Sequence, residues 1–373
     1  MNILITGGAG FIGSHLSLAL LRGGHQVTVL DNLSPQIHGD SSSTFGAIEG
    51  KVRFLRGDVR SREDWQVALK RQEAVVHLAA ETGTGQSMYE VERYVDVNVR
   101  GTSLMLDLLA NTQHTVRKLV VASSRAIYGE GKYECLEHGV VYPLARDAGD
   151  MQRRDFAVKC PACCRDARLL PTDESSTIHP SSVYGISKQV QEQLILTVGR
   201  SIGIASVALR YQNVYGPGQS LQNPYTGILS IFSTRLRNGN DIMVFEDGKE
   251  SRDFVFIDDV VEATRLAIEQ PAGAFESFNV GSGVRTDVDT VARTLHRMLG
   301  STSKIEVTGN FRIGDIRDNY ADIRKIREVL GFEPRVSFEQ GVGRFVEWVS
   351  SQQVPTDSFE SSIAEMKQKG LYK

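Results

Sequence analysis

The sequence predicts an α/β fold: a doubly wound parallel sheet, a smaller C-terminal α/β lobe and a cysteine-rich insert. Three observations predict it. The run Asn2-Ile3-Leu4-Ile5-Thr6 leads straight into glycines at positions 7, 10 and 13. An apolar-periodic segment (Leu16, Leu18, Ala19, Leu20, Leu21) follows, the pattern of strand, tight turn and helix. A second apolar strand, Val27-Thr28-Val29-Leu30, ends in Asp31. From there strands and helices alternate, which favours parallel pairing with helices on both faces.

The first turn reads as a phosphate cradle. Gly7 permits the tight turn, Gly10 lets the backbone approach a pyrophosphate, and Gly13 lets the helix pack on its strand. Phe11, Ile12 and Gly13 open the helix, where free N–H groups and the positive dipole end face the anion. Asp31, about twenty residues on, is placed to bond the adenine-ribose hydroxyls of a dinucleotide. Its neighbours Asn32 and Leu33 include no arginine, and a carboxylate repels a 2′-phosphate, so NAD is favoured over NADP.

A polar loop over 34–43 precedes a third strand near 52–55, which ends in Gly57-Asp58-Val59. Asp58 and Val59 are candidate adenine contacts, with a plain helix cap as the alternative for Asp58. A helix over 60–71 leads to the strand 74–80, in which His77 reads as a core histidine rather than a catalyst. The small polar stretch 81–87 suits a loop beside the cofactor. A long helix over 94–111 and a strand over 118–122 follow, the strand ending at Ser123-Ser124. Beyond the insert the pattern resumes as strand (205–210), glycine-containing loop (213–218) and helix (225–239). The C-terminal third closes with an amphipathic helix near 338–350 and a surface helix over 357–373 with a frayed end. The expected division is a dinucleotide-binding domain over 1–210, interrupted by an insert at 130–175. A substrate-binding lobe follows over 211–373, with some chain crossing back to the sheet.

Composition narrows the class. A net charge of −3 over 373 residues gives no general attraction to nucleic acid or anionic membrane. No apolar run approaches the ~20 residues that span a bilayer, and the first residues lack the charged n-region of a signal peptide, so a cytoplasmic protein is expected. The four cysteines, Cys135, Cys160, Cys163 and Cys164, fall in one short stretch, which in a reducing compartment points to metal rather than disulfides.

The second constellation is Tyr184-Gly185-Ile186-Ser187-Lys188, at the start of a helix with Val183, Val190, Leu194, Ile195 and Val198 on its apolar face. Tyrosine and lysine at i and i+4 share a side of the helix, where an ammonium stabilises a phenolate. Tyr184 is therefore a candidate base near neutral pH.

These motifs together resemble the extended short-chain dehydrogenase/reductase family, in particular its NAD-dependent nucleotide-sugar epimerases and dehydratases. The resemblance runs over nearly the whole chain. It takes in 6–13, His77-Leu78-Ala79-Ala80, Asn98 with Gly101-Thr102, Ser123-Ser124 before Ile127-Tyr128-Gly129, Tyr184 with Lys188, and Leu209-Arg210 leading into Asn213-Val214-Tyr215-Gly216-Pro217. It implies that Tyr184 is the catalytic base, that Lys188 holds the nicotinamide ribose and lowers the tyrosine pKa, and that Ser124 bonds the reacting hydroxyl. It places Leu78, Ala79, Ala80 and Asn98 at the cofactor. Thr82, Ser124, Arg125, Asn213, Arg252, Arg312 and Asp315 fall at a nucleotide-sugar substrate, the arginines as diphosphate clamps whose forks suit phosphate oxygens. A homodimer built on the helices of Tyr94 and Tyr184 is also implied.

The resemblance implies that relatives which dehydrate the keto sugar carry an Asp-Glu pair directly after the strand-end Ser or Thr, and that decarboxylating relatives carry a glutamate at the position of Ala126. This chain has Arg125-Ala126 there. The remaining outcome is 4-epimerisation, with hydride removed and returned on the other face and no net redox change. A 4-epimerase of another nucleotide sugar (UDP- or GDP-linked), a reductase or dehydrogenase that releases reduced cofactor, and a non-enzymatic nucleotide-sensing or zinc-mediated interaction protein stand as alternatives.

The insert carries Cys135-Leu136-Glu137-His138 and Cys160-Pro161-Ala162-Cys163. Two pairs of ligands, each with two residues between, form a zinc-ribbon-like pattern able to close a tetrahedral structural site, with Cys164 an alternative ligand or a free thiol. With the stretch 82–89, the insert resembles the group of these epimerases that converts dTDP-L-rhamnose to dTDP-6-deoxy-L-talose.

Overall fold

The computed structural model describes residues 1–39, 43–223, 227–354 and 356–373. Seven strands form the main sheet: β1 (Asn2–Thr6), β2 (Gln26–Asp31), β3 (Arg53–Arg56), β4 (Ala74–His77), β5 (Lys118–Ser124), β6 (Ala205–Tyr211) and β7 (Glu276–Val280). Their order is β7-β6-β5-β4-β1-β2-β3, with every pairing parallel. The chain winds outward from β1 in one direction and from β4 in the other, which makes the β1–β4 junction the switch point of a doubly wound Rossmann sheet.

The apolar runs read from the sequence are continuous because both faces of the sheet are covered. Alternate side chains go to opposite faces. Ile3, Ile5, Val27, Val29, Ala74, Val76 and Val120 join one core, while Leu4, Leu30, Val75, Leu119 and Val121 join the other. Helix α1 (Phe11–Arg22) buries Leu16 and Leu20 in the first. Helices α2 (Gly101–Asn111) and α3 (Val183–Ser201) bury Met105, Leu109 and Ile195 in the second.

The smaller lobe carries a three-stranded sheet (Asn213–Tyr215, Ser251–Phe256, Arg285–Asp287) and a two-stranded one (Ile242–Val244, Ile305–Val307). The strand β7 comes from this half of the chain and pairs with β6 in the main sheet. The insert forms its own antiparallel sheet, with Tyr133–Cys135 between Gly139–Val141 and Arg168–Leu169.

Several elements differ from their sequence expectation for local reasons. The helix expected over 60–71 is Arg62–Ala68, because the Ser61 hydroxyl accepts from Asp64 N and fixes the start. The helix expected over 94–111 runs as Val91–Tyr94, a π-helical turn at Val95–Arg100, and then α2. The loop expected over 34–43 contains a short helix, Pro35–His38, and a second begins at Ser43 (Ser43–Ile48), while 40–42 lie outside the described residues. The helix expected over 225–239 is Ile228–Arg237, and 225–226 lie outside the described residues. The C-terminal stretch is not a frayed surface helix. Helix α4 (Phe359–Gln368) buries Phe359, Ile363 and Met366, and with Tyr372 these pack on Ile231, Met243 and Phe245. No helix among the described residues is long and apolar enough to cross a membrane.

Candidate active site

A cleft opens at the switch point, over the C-terminal ends of the strands. Gly7, Phe11, Ile12, Gly13, Asp31 and Asn32 line one end and Ser124, Tyr184 and Lys188 the other, with Val59, Leu78, Ala79, Ala80 and Thr82 between. Two positions of the cradle, Gly7 and Gly13, exclude any side chain. Gly7 has φ +68°, and a Cβ there would meet Ala79 N at 2.8 Å. At Gly13 a Cβ would meet Gly7 O at 2.4 Å, because α1 packs directly on the turn. Gly10 is the N-cap of α1 and has no side chain to satisfy the first N–H groups, which are left for an anion. The Asp31 carboxylate is fixed by Ala9 N (3.0 Å) and Leu33 N (2.9 Å), with His38 Nε2 at 3.5 Å. These residues fit the diphosphate and adenosine ribose of NAD.

Among the cofactor candidates, Gly10, Asp58 and Asn98 stand outside the cleft lining. The Asp58 carboxylate pairs with Arg60 at 2.8 Å and with Asn32 Nδ2 at 3.1 Å, and the Arg60 bonds hold its pKa down to about 2 against the effect of burial. Asn98 is fully buried, donating to Ser187 Oγ at 2.9 Å and to Glu81 O at 3.1 Å while accepting from Glu81 N at 2.8 Å. It shapes the loop after β4 from behind.

Ser124 ends β5 and caps the turn Arg125–Tyr128, its Oγ accepting from Ala126 N at 3.1 Å. Burial raises the Tyr184 phenol pKa, while its hydrogen bond with Ser124 and the charge of Arg125 lower it. The Lys188 ammonium donates to Gln191 Oε1 at 2.7 Å, and burial depresses its pKa to about 7.

Gln191 belongs to a buried chain of bonds that the sequence reading missed. Thr102 Oγ1 gives its one proton to Asn98 O (2.6 Å), so it accepts from Gln191 Nε2 (2.8 Å) and from His77 Nε2 (3.0 Å). His77 Nδ1 is then the acceptor of the Thr6 hydroxyl at 2.7 Å. Burial holds the His77 pKa at about 3, so the ring is neutral and serves as a core link. The signal for Gln191 was its place one turn beyond Lys188 on the same helix.

The substrate candidates gather around one carboxylate. Asp315 accepts from Arg252 Nη2 (3.0 Å) and Arg312 Nη2 (2.7 Å), and Arg125 Nε donates to Asn213 Oδ1 (2.8 Å) nearby. Burial would raise the Asp315 pKa, but Arg312, Arg252, Arg125 and Arg146 outweigh it and hold the carboxyl well below the usual range. Burial and Arg252 together penalise the charge on Arg125. Arg125, Arg252 and Arg312 thus converge near Asp315, with the buried carboxyls of Glu130 and Glu250 also within electrostatic reach, and their guanidinium forks suit the oxygens of a diphosphate. Arg252 also donates to Ser251 O, Ile316 O and Arg317 O, so it anchors this loop as well.

The chain's own end builds one wall of this site. Phe311 N donates to Lys373 O and Ile313 N to Leu371 O, both at 2.9 Å. Met366 and Leu371 then border a small hollow with Met88, Ser181, Arg312 and Asp315. Deleting residues 371–373 is expected to raise the KM for substrate by about tenfold with kcat little changed, because the loop carrying Arg312 loses the segment bridged to it at Tyr372. Steady-state kinetics on the truncated chain checks it.

Fold and cleft define a Rossmann protein whose dinucleotide-sized cleft brings Ser124, Tyr184 and Lys188 together, with an arginine-rich loop nearby. The NAD dependent epimerase/dehydratase family matches residues 3–147 and 163–281, and the chain belongs to that family. The matched stretches leave out 148–162, inside the insert. The chain is similar to a dTDP-L-rhamnose 4-epimerase of Burkholderia thailandensis, 37% identical over 94% of this chain and 95% of that one. Among solved structures it is similar to a UDP-glucose 4-epimerase of Thermotoga maritima with UDP-glucose (TM-score 0.76, 32% identity, covering 94% and 99% of the two chains). A UDP-glucose 4-epimerase of Thermus thermophilus in complex with NAD is also similar (TM-score 0.74, 27% identity, covering 95% and 100%). Epimerases are isomerases, and this chain is an enzyme of that kind with NAD as its cofactor.

Proposed function

We propose that this enzyme epimerises a nucleoside-diphosphate sugar at C4, converting dTDP-L-rhamnose to dTDP-6-deoxy-L-talose through a transient 4-keto sugar. The observation that carries the reaction type is the site's end wall. Ser124 and Tyr184 face one cleft, and the next two positions are Arg125 and Ala126, neither of which can act as acid or base for loss of water or carbon dioxide. The substrate choice is supported by the likeness to the Burkholderia thailandensis enzyme over nearly the full length of both chains.

Each residue has its own part in the cycle. Ser124 and Tyr184 hold the C4 hydroxyl, and Tyr184 takes its proton while the C4 hydride leaves. Bound NAD supplies the hydride acceptor and returns the same hydride. Lys188, held by Gln191, stabilises the phenolate and holds the ribose of the nicotinamide half. Arg125, Asn213, Arg252 and Arg312 hold the diphosphate, and Asp315 the nucleoside ribose, so the sugar turns about a fixed anchor and presents its other face. Tyr184 then gives the proton back to the C4 oxygen.

Two further features belong to this reading. Val91, Val95 and Ile186 expose apolar side chains on neighbouring helices, which supports a homodimer joined through a four-helix interface. Cys135, His138, Cys160 and Cys163 form a closed four-ligand group, which supports a structural zinc ion, and their unlinked thiols fit a cytoplasmic enzyme. The test is product analysis after incubation with dTDP-L-rhamnose. Formation of dTDP-6-deoxy-L-talose with no net absorbance change at 340 nm is expected, and stoichiometric absorbance change would show a dehydrogenase instead.

A further inference from the structure

The insert contains a metal-binding geometry and a physical link from it to the substrate loop. Cys135 and His138 flank the turn between two strands of the insert, and Cys160 and Cys163 occupy the tip of a hairpin closed by the Lys159–Asp166 bridge. Their ligand atoms all lie within 4.8 Å of one another. Cys135 Sγ is 3.5 Å from His138 Nδ1 and 3.6 Å from Cys163 Sγ, and Cys160 Sγ is 3.7 Å from His138 Nδ1. Tetrahedral zinc with bonds of about 2.3 Å to sulfur and about 2.0 Å to nitrogen places neighbouring ligands roughly 3.5–3.8 Å apart. A disulfide would need about 2.05 Å between sulfurs. Cys164 is exposed and outside this group, its φ of +60° turning the chain away after the second ligand pair.

The insert needs such a staple. Its own core is five buried residues, Tyr133, Cys135, Val141, Val158 and Cys160, two of which are ligands. So small a core does not hold a fold without added cross-links.

From the ligand hairpin the chain leads directly to the substrate loop. Val158, two residues before Cys160, pairs with Ala167 (2.9 Å), and Phe156 packs with Met151 of the insert on Phe311, next to Arg312. Arg146, buried on the same side, forms a two-pronged bond with Glu246 at 2.7 Å and donates to the Asp315 carbonyl at 3.1 Å. Glu130, at the root of the insert, lies 3.4 Å from Arg146 and accepts from Arg317 N at 2.8 Å. The insert therefore touches the 311–317 loop from three directions.

We propose that the zinc-bound insert is a brace that fixes the 311–317 loop, so that zinc and the positioning residue Arg146 together set affinity for the substrate's nucleoside diphosphate. This rests on the reading of the insert as a zinc site. Zinc content by elemental analysis, with dTDP binding to the NAD-loaded enzyme by calorimetry, tests both. One zinc per chain is expected. Chelation, or Cys163→Ser, should weaken dTDP binding by about tenfold or more, with restoration by added zinc after chelation. Arg146→Gln should keep zinc and NAD, weaken dTDP binding to the same degree, raise KM far more than it lowers kcat, and lose any further response to chelation. Absence of zinc from the purified enzyme would overturn the metal site. Zinc present, with dTDP affinity unchanged by its removal or by Arg146→Gln, would overturn the brace and leave the metal site standing.

Discussion

Tyr184→Phe is expected to lower turnover by about a thousandfold or more, the range associated with loss of a positioned acid–base group, while the enzyme still carries NAD. The substitution removes only the phenolic oxygen. The groups assigned to the cofactor, Gly7, Gly13, Asp31 and Lys188, are untouched, and Lys188 is held by Gln191 rather than by the phenol. Rates measured at saturating substrate, with cofactor content from absorbance of the denatured protein, check both halves. Because burial raises the phenol pKa, the tyrosine on its own is a poor base at neutral pH, and its activity depends on the positive charge assembled beside it.

Gly13→Ala is expected to weaken NAD binding so far that the purified protein carries none. The added Cβ would lie 2.4 Å from Gly7 O and 2.5 Å from Gly8 Cα, both backbone atoms that no rotamer change can move aside. Helix α1 must then back away from β1, widening the cradle and costing about 1–3 kcal/mol of stability. Purified protein should show no bound nucleotide, a melting temperature several degrees lower, and no activity without a large excess of NAD.

Much of the sheet was legible because its strands announce themselves twice, as apolar runs and through the residues at their C-terminal ends. β1, β2 and β5 each lead to a residue with a task, Gly7, Asp31 and Ser124, and the glycines leave little freedom in the path between β1 and α1. The strand expected at 74–80 stops at His77, since Leu78, Ala79 and Ala80 turn along the cleft instead of pairing. The π-helical turn at Val95–Arg100 adds a residue to one helical turn, which a 3.6-residue period does not reveal. It carries the buried Asn98 that ties this helix to Ser187 of α3.

The substrate side was legible only through likeness to a family, because Arg252, Arg312 and Asp315 meet Arg125 and Asn213 through tertiary packing of distant parts of the chain. Arg146 and the bridge of residues 371–373 to the 311–313 segment were missed for the same reason, and so was the Thr102 bond of Gln191, although its place one turn beyond Lys188 was visible. Each acts through a partner distant in sequence: Thr102 for Gln191, Glu246 for Arg146, and Phe311 for Lys373. Local periodicity carries no trace of such pairs. The cysteine pairs were visible because two-residue spacing is itself the turn geometry that brings ligands together.

In the proposed cycle hydride leaves and returns to one carbon within a single binding event. Substrate deuterated at C4 tests it most directly, with the label followed by mass spectrometry and NMR of the product. A C4-inverted sugar that keeps its deuterium at C4 is expected. Deuterium lost to solvent, or an inverted product made without C4–H cleavage, would contradict it.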